Sequence, residues 1–584
     1  MKKILNEPLF YLLPLLVIAY LMTIIPSAEI SSVKLTRKNV TENIKLPYSI
    51  EMPEGEIFLI SFNLAVKGKS AKFNIIPDNC LQEILINGRN FSLDGIKGIC
   101  DYSKGAYFDF SEYVQEGQNH FELRVKNDGG PAGLRIETPY NGFNSLSLMN
   151  YVFTLLFLLS AALILRKFKF KLVAVFIILL GIVVRLVFYT YTGPMQFSYD
   201  TGGHLHYIQI ISEEKRIPKI DENWSTYHPP LYYVISAMIK NVADRYDSAL
   251  TDRFLQQMQL LFSFASLVFG IALIINLFGN GQGTYLASLI LVLWPGFVIT
   301  APRIGNDILF YFGALFCMLF AQRYWRWHKN SDVVLASIGA SIAFAAKSTG
   351  FVVLGVWVVI YVLSVVRQLK IGSLRTLFAS IFIIALFMGL SNYRIIANIF
   401  EEKKVSLVGN IGSLNSGMRV DNTTGNYLYL DLKDYLFEPY ASTWTDKGGR
   451  QYFWNFAIKT SLFGEFRLWN VPVGQVLATI LGVLGLFIFI FALWGIIHAK
   501  FRELPPLLFV LFLFAALIYL RVSYPYSCSN DFRYIMPALF PLVYFSVRGV
   551  QILENSRLRK LSYTVLLSFT CLSFLFIVGQ GFGP

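Results

Sequence analysis

Charge is what this 584-residue chain has least of: Asp, Glu, Lys and Arg together make up 15% of it, against 55% hydrophobic residues. That balance excludes both intrinsic disorder and a domain kept in solution by a charged surface. Cysteine is scarce too. The five present form no CxxC pair and no Cys/His spacing of the zinc-binding kind, which excludes a structural zinc module. Charges in the middle of apolar runs, and halves that repeat one another, are also missing, and both would be expected of a secondary transporter. Acidic residues are outnumbered, 37 to 51, for a formal net charge of +14. In a soluble chain that excess would point to nucleic acid, but here the basic residues cluster in short stretches between apolar segments and read as topology signals.

What fills the chain instead is apolar runs of roughly 17 to 25 residues, long enough for a ~30 Å hydrocarbon core. They fall near 8–25, 148–166, 171–192, 257–278, 283–300, 308–325, 333–346, 351–367, 376–393, 472–496, 505–521, 534–549 and 561–579. The expected class is therefore an α-helical polytopic membrane protein with about 13 transmembrane helices. With Lys2 and Lys3 inside, alternation puts Arg166/Lys167, Arg323/Arg326, Arg367/Lys370, Lys500/Arg502 and Arg557/Arg559/Lys560 all on the cytoplasmic side, as the positive-inside rule requires. A crossing at Leu231 to Val242 would reverse every later cluster. At a dozen residues that stretch is expected to lie along the outer surface. The amino terminus has the basic start and apolar stretch of a signal peptide, but Ile25-Pro26-Ser27-Ala28-Glu29 is a poor cleavage site, so a retained first span is expected.

Residues 30–146 change character. Glu56-Ile57-Phe58-Leu59-Ile60-Ser61-Phe62 and the alternating His120-Phe121-Glu122-Leu123-Arg124-Val125 read as strands, with turn signals at Asn87-Gly88 and Gly129-Gly130. A β-sandwich inserted after the first span fits, facing out of the cytoplasm. Cys80 and Cys100 both lie in it, where an oxidising compartment permits a bridge. Cys317 and Cys571 fall in spans and read as small core residues. Around Asp109-Phe110 and Asn127-Asp128-Gly129-Gly130 the module resembles the jelly-roll, galactose-binding-like domains attached to carbohydrate enzymes, which implies either glycan binding or a structural role.

In this topology the remaining polar residues gather on the outer face: Asp200, His204 and His206, then Tyr227-His228-Pro229-Pro230, Arg303-Ile304-Gly305-Asn306-Asp307, Lys347-Ser348-Thr349-Gly350 and Asn530-Asp531-Phe532-Arg533-Tyr534. Ionisable groups at the ends of apolar helices are costly unless solvated or paired, so a one-sided collection points to a shared cavity. Such a set matches the needs of sugar transfer from a polyprenyl phosphate. A carboxylate, Asp200, takes the proton from an attacking acceptor hydroxyl. Cations at Lys347, Arg533 and Arg303, with His228, hold the departing phosphate. A single displacement of this kind inverts the anomeric centre.

An acidic residue after an early span, a His-Pro-Pro about 28 residues on, an Asn-Asp, a Lys-Ser-Thr-Gly and an Arg-Tyr-x-x-Pro together resemble the glycosyltransferase C (GT-C) superfamily. The likeness runs over 185–549 and is closest to the branch containing protein O-mannosyltransferases and lipid A aminoarabinose transferases. It implies a GT-C-like fold, a polyprenyl-phosphate-sugar donor, and a glycan, lipid or protein acceptor. Asp200 stands where those enzymes keep the catalytic acidic residue of the first loop, Asp307 where they keep that of the second, and His228 at the position of a phosphate-binding lysine in the aminoarabinose transferases. A departure is Thr201, where many relatives carry a second carboxylate. With only Asp200 and Asp307 available, no cofactor and no metal are expected.

Each candidate has a plainer reading. Asp200 and Asp307 suit helix caps, Lys347 can snorkel, Arg533 can pair with Asp531, and His228 can be incidental to Pro229. His204 and His206, two apart on a helix, cannot share a face, and His204, a turn below Asp200, is the better cavity residue. The expected organisation is a first span (1–29), the sandwich (30–146), a catalytic membrane module (147–393), an outer loop with interfacial helices (394–471) and terminal spans (472–584). The expected activity is an extracytoplasmic glycosyltransferase in the cell membrane with a cytoplasmic N-terminus. A lipid-linked glycan flippase and a glycan polymerase or ligase are the alternatives.

Overall fold

The computed structural model describes residues 28–137 and 159–579, apart from scattered one- and two-residue gaps and the longer breaks 67–70, 102–104, 246–250, 369–373, 401–415, 443–447 and 469–471. The expected span 8–25, residues 25–27 of the poor cleavage site, and most of 148–166 lie outside the described residues. The chain divides into two compact units, one of residues 1–164, 193–202 and 242–254, the other of 165–192, 203–241 and 255–584.

The first unit contains the sandwich. Its strands are β1 (Ala28–Arg37), β2 (Val40–Asn43), β3 (Tyr48–Glu51), β4 (Ile57–Val66), β5 (Lys72–Asp78), β6 (Cys80–Ile86), β7 (Arg89–Phe91), β8 (Ala106–Asp109), β9 (Gly117–Lys126) and β10 (Pro131–Glu137). One sheet runs β2-β1-β4-β9-β6-β7 and the other β3-β10-β5-β8, so from β4 onward the chain passes back and forth between sheets, as in a jelly roll. Every second residue of β4 is buried from Phe58 to Val66, the period-two pattern of a strand with one face on a core. Phe62 and Phe121 are partners across β4 and β9, with rings stacked at 5.2 Å. Both sheets feed one apolar cluster, from Phe58 and Leu123 to Phe73 and Leu134.

Asn87 and Gly88 make the two-residue turn from β6 to β7 with φ of 51° and 78°, the type I′ geometry that an Asn-Gly pair accommodates. Cys80 and Cys100 are disulfide-bonded. At the end of β5, burial pushes the Asp78 carboxyl up to about 6. The folded form therefore holds this proton more tightly than the unfolded chain, whose Asp titrates near 4. Stability linked to it is full below about 4 and is lost as pH rises through about 6. Hydrogen exchange of β5 and β10 in the full chain should accordingly quicken between pH 4 and 7 beyond the intrinsic rate, and Asp78→Asn should remove that excess.

The second unit is helical. Among the described residues eight helices are long and apolar enough to cross a membrane: Leu172–Thr190, Thr251–Phe278, Asp307–Trp327, Gly350–Arg367, Leu374–Arg394, Pro472–Ile497, Phe501–Ser523 and Ser556–Gly579. The protein is thus a polytopic α-helical membrane protein with a β-sandwich. Leu231–Ala243 has only 13 residues, too few to span. Two of the expected spans are shorter than the apolar run implies. The run 283–300 is two helices, Gln282–Val292 and Pro295–Ile299, since Pro295 has no N–H to continue the first. The run 534–549 begins as a tight turn through Pro537 before Leu539–Gln551, whereas Asn330–Ala346 extends beyond the run 333–346.

The break before Pro295 frees carbonyls that lipid could not satisfy. Arg185, fully buried, meets that need: Nη1 donates to the Gly181 and Val292 carbonyls, both at 3.0 Å, and Nε donates to Ser263 Oγ at 3.1 Å. Trp294 Nε1 donates to the Ser461 carbonyl at 2.6 Å. Cys317 is buried as expected of a core residue, but Cys571 is exposed on its helix, near exposed Phe574 and Leu575. An apolar run does not say which face of its helix meets lipid, and Cys571 is on that face rather than in the core.

Candidate active site

Two antiparallel helices deliver the first pair of candidate residues. Asp307 opens Asp307–Trp327, and Lys347 follows directly on Asn330–Ala346. The helices approach backbone to backbone at Gly313 and Gly339, and Asn306 Nδ2 donates to the Ala346 carbonyl at 3.0 Å, joining the two ends. The Lys347 ammonium thereby reaches Asp307 Oδ1 in an ion pair in which both side chains are about nine-tenths buried. A carboxylate at a helix N-terminus and a cation at a C-terminus each also sit favourably in the helix dipoles.

Arg533 comes from the turn before Leu539–Gln551. Its Nε is 3.1 Å from Asp531 Oδ2, its backbone N–H donates to Asp531 Oδ1 at 2.9 Å, and its carbonyl accepts from Tyr311 at 2.8 Å. Tyr534 ties the pairs together, its ring 4.6 Å from the Lys347 ammonium and 5.2 Å from the Arg533 guanidinium. Asp307 lies in the field of Arg533 and Arg303 as well as Lys347. Among the described residues Arg303 makes no ion pair and rests 5.4 Å from the Phe466 ring. The group thus sets three cations, Lys347, Arg303 and Arg533, against two carboxylates, Asp307 and Asp531.

The cluster is recessed. At the far end of Asp307–Trp327, Gln322 and Trp325 donate to the carbonyls of Arg502 and Phe501. The span that starts there runs back to Ser523, and Phe532 packs at 6.0 Å on its Phe514, nine residues (roughly 14 Å) short of that end. Phe532 stands between Asp531 and Arg533, so these charges sit within the length of the spans rather than above them.

His204 approaches the same segment, and His228 lies beside His204. His204 is buried, its Nδ1 2.7 Å from the Tyr233 hydroxyl, and its Nε2 lies so near Gly305 that a Cβ there would be at 3.2 Å. Gly305, two residues before Asp307, also accepts from Gln259 Nε2 at 2.5 Å. The His228 ring is 5.7 Å from that of His204 and 4.0 Å from that of Tyr227. Burial holds the phenols of Tyr232 and Tyr233 above their ordinary range, so both remain neutral. His206 is exposed, with Nδ1 2.7 Å from Asn223 Nδ2, on a different face of the helix from His204.

Six of the seven candidates, His204, His228, Arg303, Asp307, Lys347 and Arg533, are therefore in one unit. The seventh, Asp200, is half-buried in the segment 193–202 of the other unit and immediately precedes the helix Thr201–Glu214, which carries His204. Asp531, Tyr233 and Tyr534 join the site without having been singled out. Tyr534 stood in the Arg-Tyr-x-x-Pro motif, and Asp531 was visible as a neighbour of Arg533. Among the described residues no three His, Cys, Asp or Glu side chains gather as a metal site. Asp307 and Asp531 each face a basic group, which is not the donor arrangement a divalent cation takes.

No protein-family profile and no curated protein matches the chain. Solved structures do overlap with it. The oligosaccharyltransferase of Archaeoglobus fulgidus in its apo form matches over 70% of this chain and 56% of its own, at 12% identity and a TM-score of 0.40. ArnT from Cupriavidus metallidurans, solved bound to undecaprenyl phosphate, matches over 70% of this chain and 75% of its own, at 13% identity and a TM-score of 0.41. Both are members of the GT-C superfamily. The chain spans little more than half the length of the first, and at these scores the overlaps carry no inference about chemistry.

Proposed function

We propose that the protein is an integral membrane glycosyltransferase that moves a sugar from a polyprenyl-phosphate-linked donor to an acceptor hydroxyl. The observation that carries this reading is the recessed group of three cations and two carboxylates. A net positive cluster within the length of apolar spans is costly unless an anion completes it, and a phosphate borne on a lipid is an anion that arrives at that depth. Arg303, which among the described residues makes no ion pair, is the group readiest to take it, with Lys347 and Arg533 acting on the same Asp307.

In the reaction, Asp200 accepts the proton of the acceptor hydroxyl as its oxygen attacks the anomeric carbon. The bond from that carbon to the phosphate oxygen breaks, and the leaving phosphate keeps the electron pair under the cations. One displacement inverts the anomeric centre. Asp307 orients Lys347 and balances the empty site. In this reading the chemistry and the sandwich are extracytoplasmic and the N-terminus cytoplasmic, the orientation that the positive-inside pattern of the sequence supports. Donor lipid, a glycan, lipid or protein acceptor, and the bilayer are the partners.

The test is transfer in proteoliposomes from a panel of undecaprenyl-phosphate and undecaprenyl-diphosphate sugars. Asp200→Asn should slow transfer by about 10²- to 10⁴-fold while undecaprenyl phosphate still binds. Unchanged transfer would remove Asp200 as the base. Lipid translocation without any transfer, by either protein, would make the chain a flippase.

A further inference from the structure

The helix Leu374–Phe400 is the least enclosed of the candidate spans, with 11% of its apolar window buried. Near the end of that window one side chain does the opposite. Arg394 is buried, and it points not to a carboxylate but to three backbone carbonyls of a single segment. Nη1 donates to Pro218 at 2.7 Å and Thr226 at 2.9 Å, and Nη2 donates to His228 at 2.8 Å. The guanidinium lies 5.7 Å from the Tyr207 ring, whose hydroxyl donates to the same His228 carbonyl at 3.4 Å.

These carbonyls belong to the strap between Thr201–Glu214 and Leu231–Ala243, which has little regular structure of its own. A strap without ladder hydrogen bonds needs its carbonyls satisfied from elsewhere when it is buried. One planar fork satisfies three of them at once and so fixes the strap's course. A lysine, a point charge on a flexible stem, could not reproduce that spread of donors.

We propose that Arg394 is a positioning residue: it holds Pro218 to His228 in the course that sets the His228 imidazole beside His204, which in turn lies against Gly305 of the Arg303–Asp307 segment. It acts through His228, and the inference rests on the phosphate-binding reading of that site. The same clamp ties the most lipid-exposed span to the strap, so displacement of that helix moves His228.

Purified full-length protein in nanodiscs, titrated with undecaprenyl phosphate as the probe, separates the possibilities. Arg394→Gln and His228→Ala should each raise the Kd about five- to tenfold, the size of losing one ordinary hydrogen bond. The double variant should be no weaker than the worse single one, because both remove the same contact. Arg394→Lys should recover only part of the loss. Full additivity, or an unchanged Kd in Arg394→Gln where His228→Ala weakens binding, overturns the proposal. Hydrogen exchange over 216–230 is read in parallel without ligand and should rise in Arg394→Gln and not in His228→Ala. If His228→Ala, Arg303→Ala and Arg533→Ala all bind the probe as the parent does, the phosphate reading fails. Exchange then decides the clamp alone, and an unaltered strap in Arg394→Gln overturns it.

Discussion

Lys347→Met should destabilise the protein by about 3–5 kcal/mol, among the largest effects any single side chain here can have. The substitution keeps the length of the side chain and removes its charge, which leaves the Asp307 carboxylate buried without its closest cation. Asp307→Asn errs the other way, leaving Lys347 close to Arg533 and Arg303 with one balancing carboxylate fewer. Pairing the two substitutions removes both charges, so the double variant should recover most of the stability lost by either. Thermal unfolding of purified protein in one detergent measures this. Additive losses would mean that the two groups do not face each other. The double variant also separates structure from function, because a merely structural tie would leave it binding undecaprenyl phosphate normally. As part of the anion site, it should be stable and bind the lipid at least about tenfold more weakly.

That pairing is the kind of fact a sequence does not print. Asp307 and Lys347 stand 40 positions apart, and each alone reads as a helix cap or a snorkelling lysine until two helices bring them together. Arg533 and Asp531 were legible, because two residues across a short turn can reach one another without tertiary help. The Asn87-Gly88 hairpin was legible for the same local reason, and so were the long spans, since length and apolarity are properties of one segment. The run 283–300 misleads because apolarity is continuous across a backbone that is not. Only Pro295 hints at the break, and the groups that make it tolerable, Arg185 and the Ser461 carbonyl, come from distant segments. Arg394 gives a fainter sign, a lone charge near the end of an otherwise apolar run, and its three acceptors are backbone atoms that no residue pattern encodes.

Gly339→Val should be damaging on a scale approaching loss of the ion pair, though it touches no charge. A Cβ at Gly339 would stand 2.5 Å from the Cys317 amide nitrogen and 2.9 Å from the Gly313 carbonyl oxygen, and one at Gly313 would stand 2.6 Å from the Ala343 nitrogen. These are backbone atoms of the facing helix, so no rotamer change relieves the clash and the helices must separate. Overpacking of this kind costs about 1–3 kcal/mol or more, and in a membrane it also forfeits the close packing that holds such helices together. The two helices carry Asp307 and Lys347 at their adjoining ends, so separating them should weaken both the pair and undecaprenyl phosphate binding. Gly355→Val and Gly389→Val are the controls, because a Cβ at either meets nothing within 4 Å. They should unfold and bind nearly as the parent does. If Gly339→Val also behaves as the parent, the Gly313–Gly339 contact does not set the spacing of Asp307 and Lys347. The ion pair would then have to be held by the Asn306 to Ala346 hydrogen bond alone, and Asn306→Ala becomes the substitution that separates the charges.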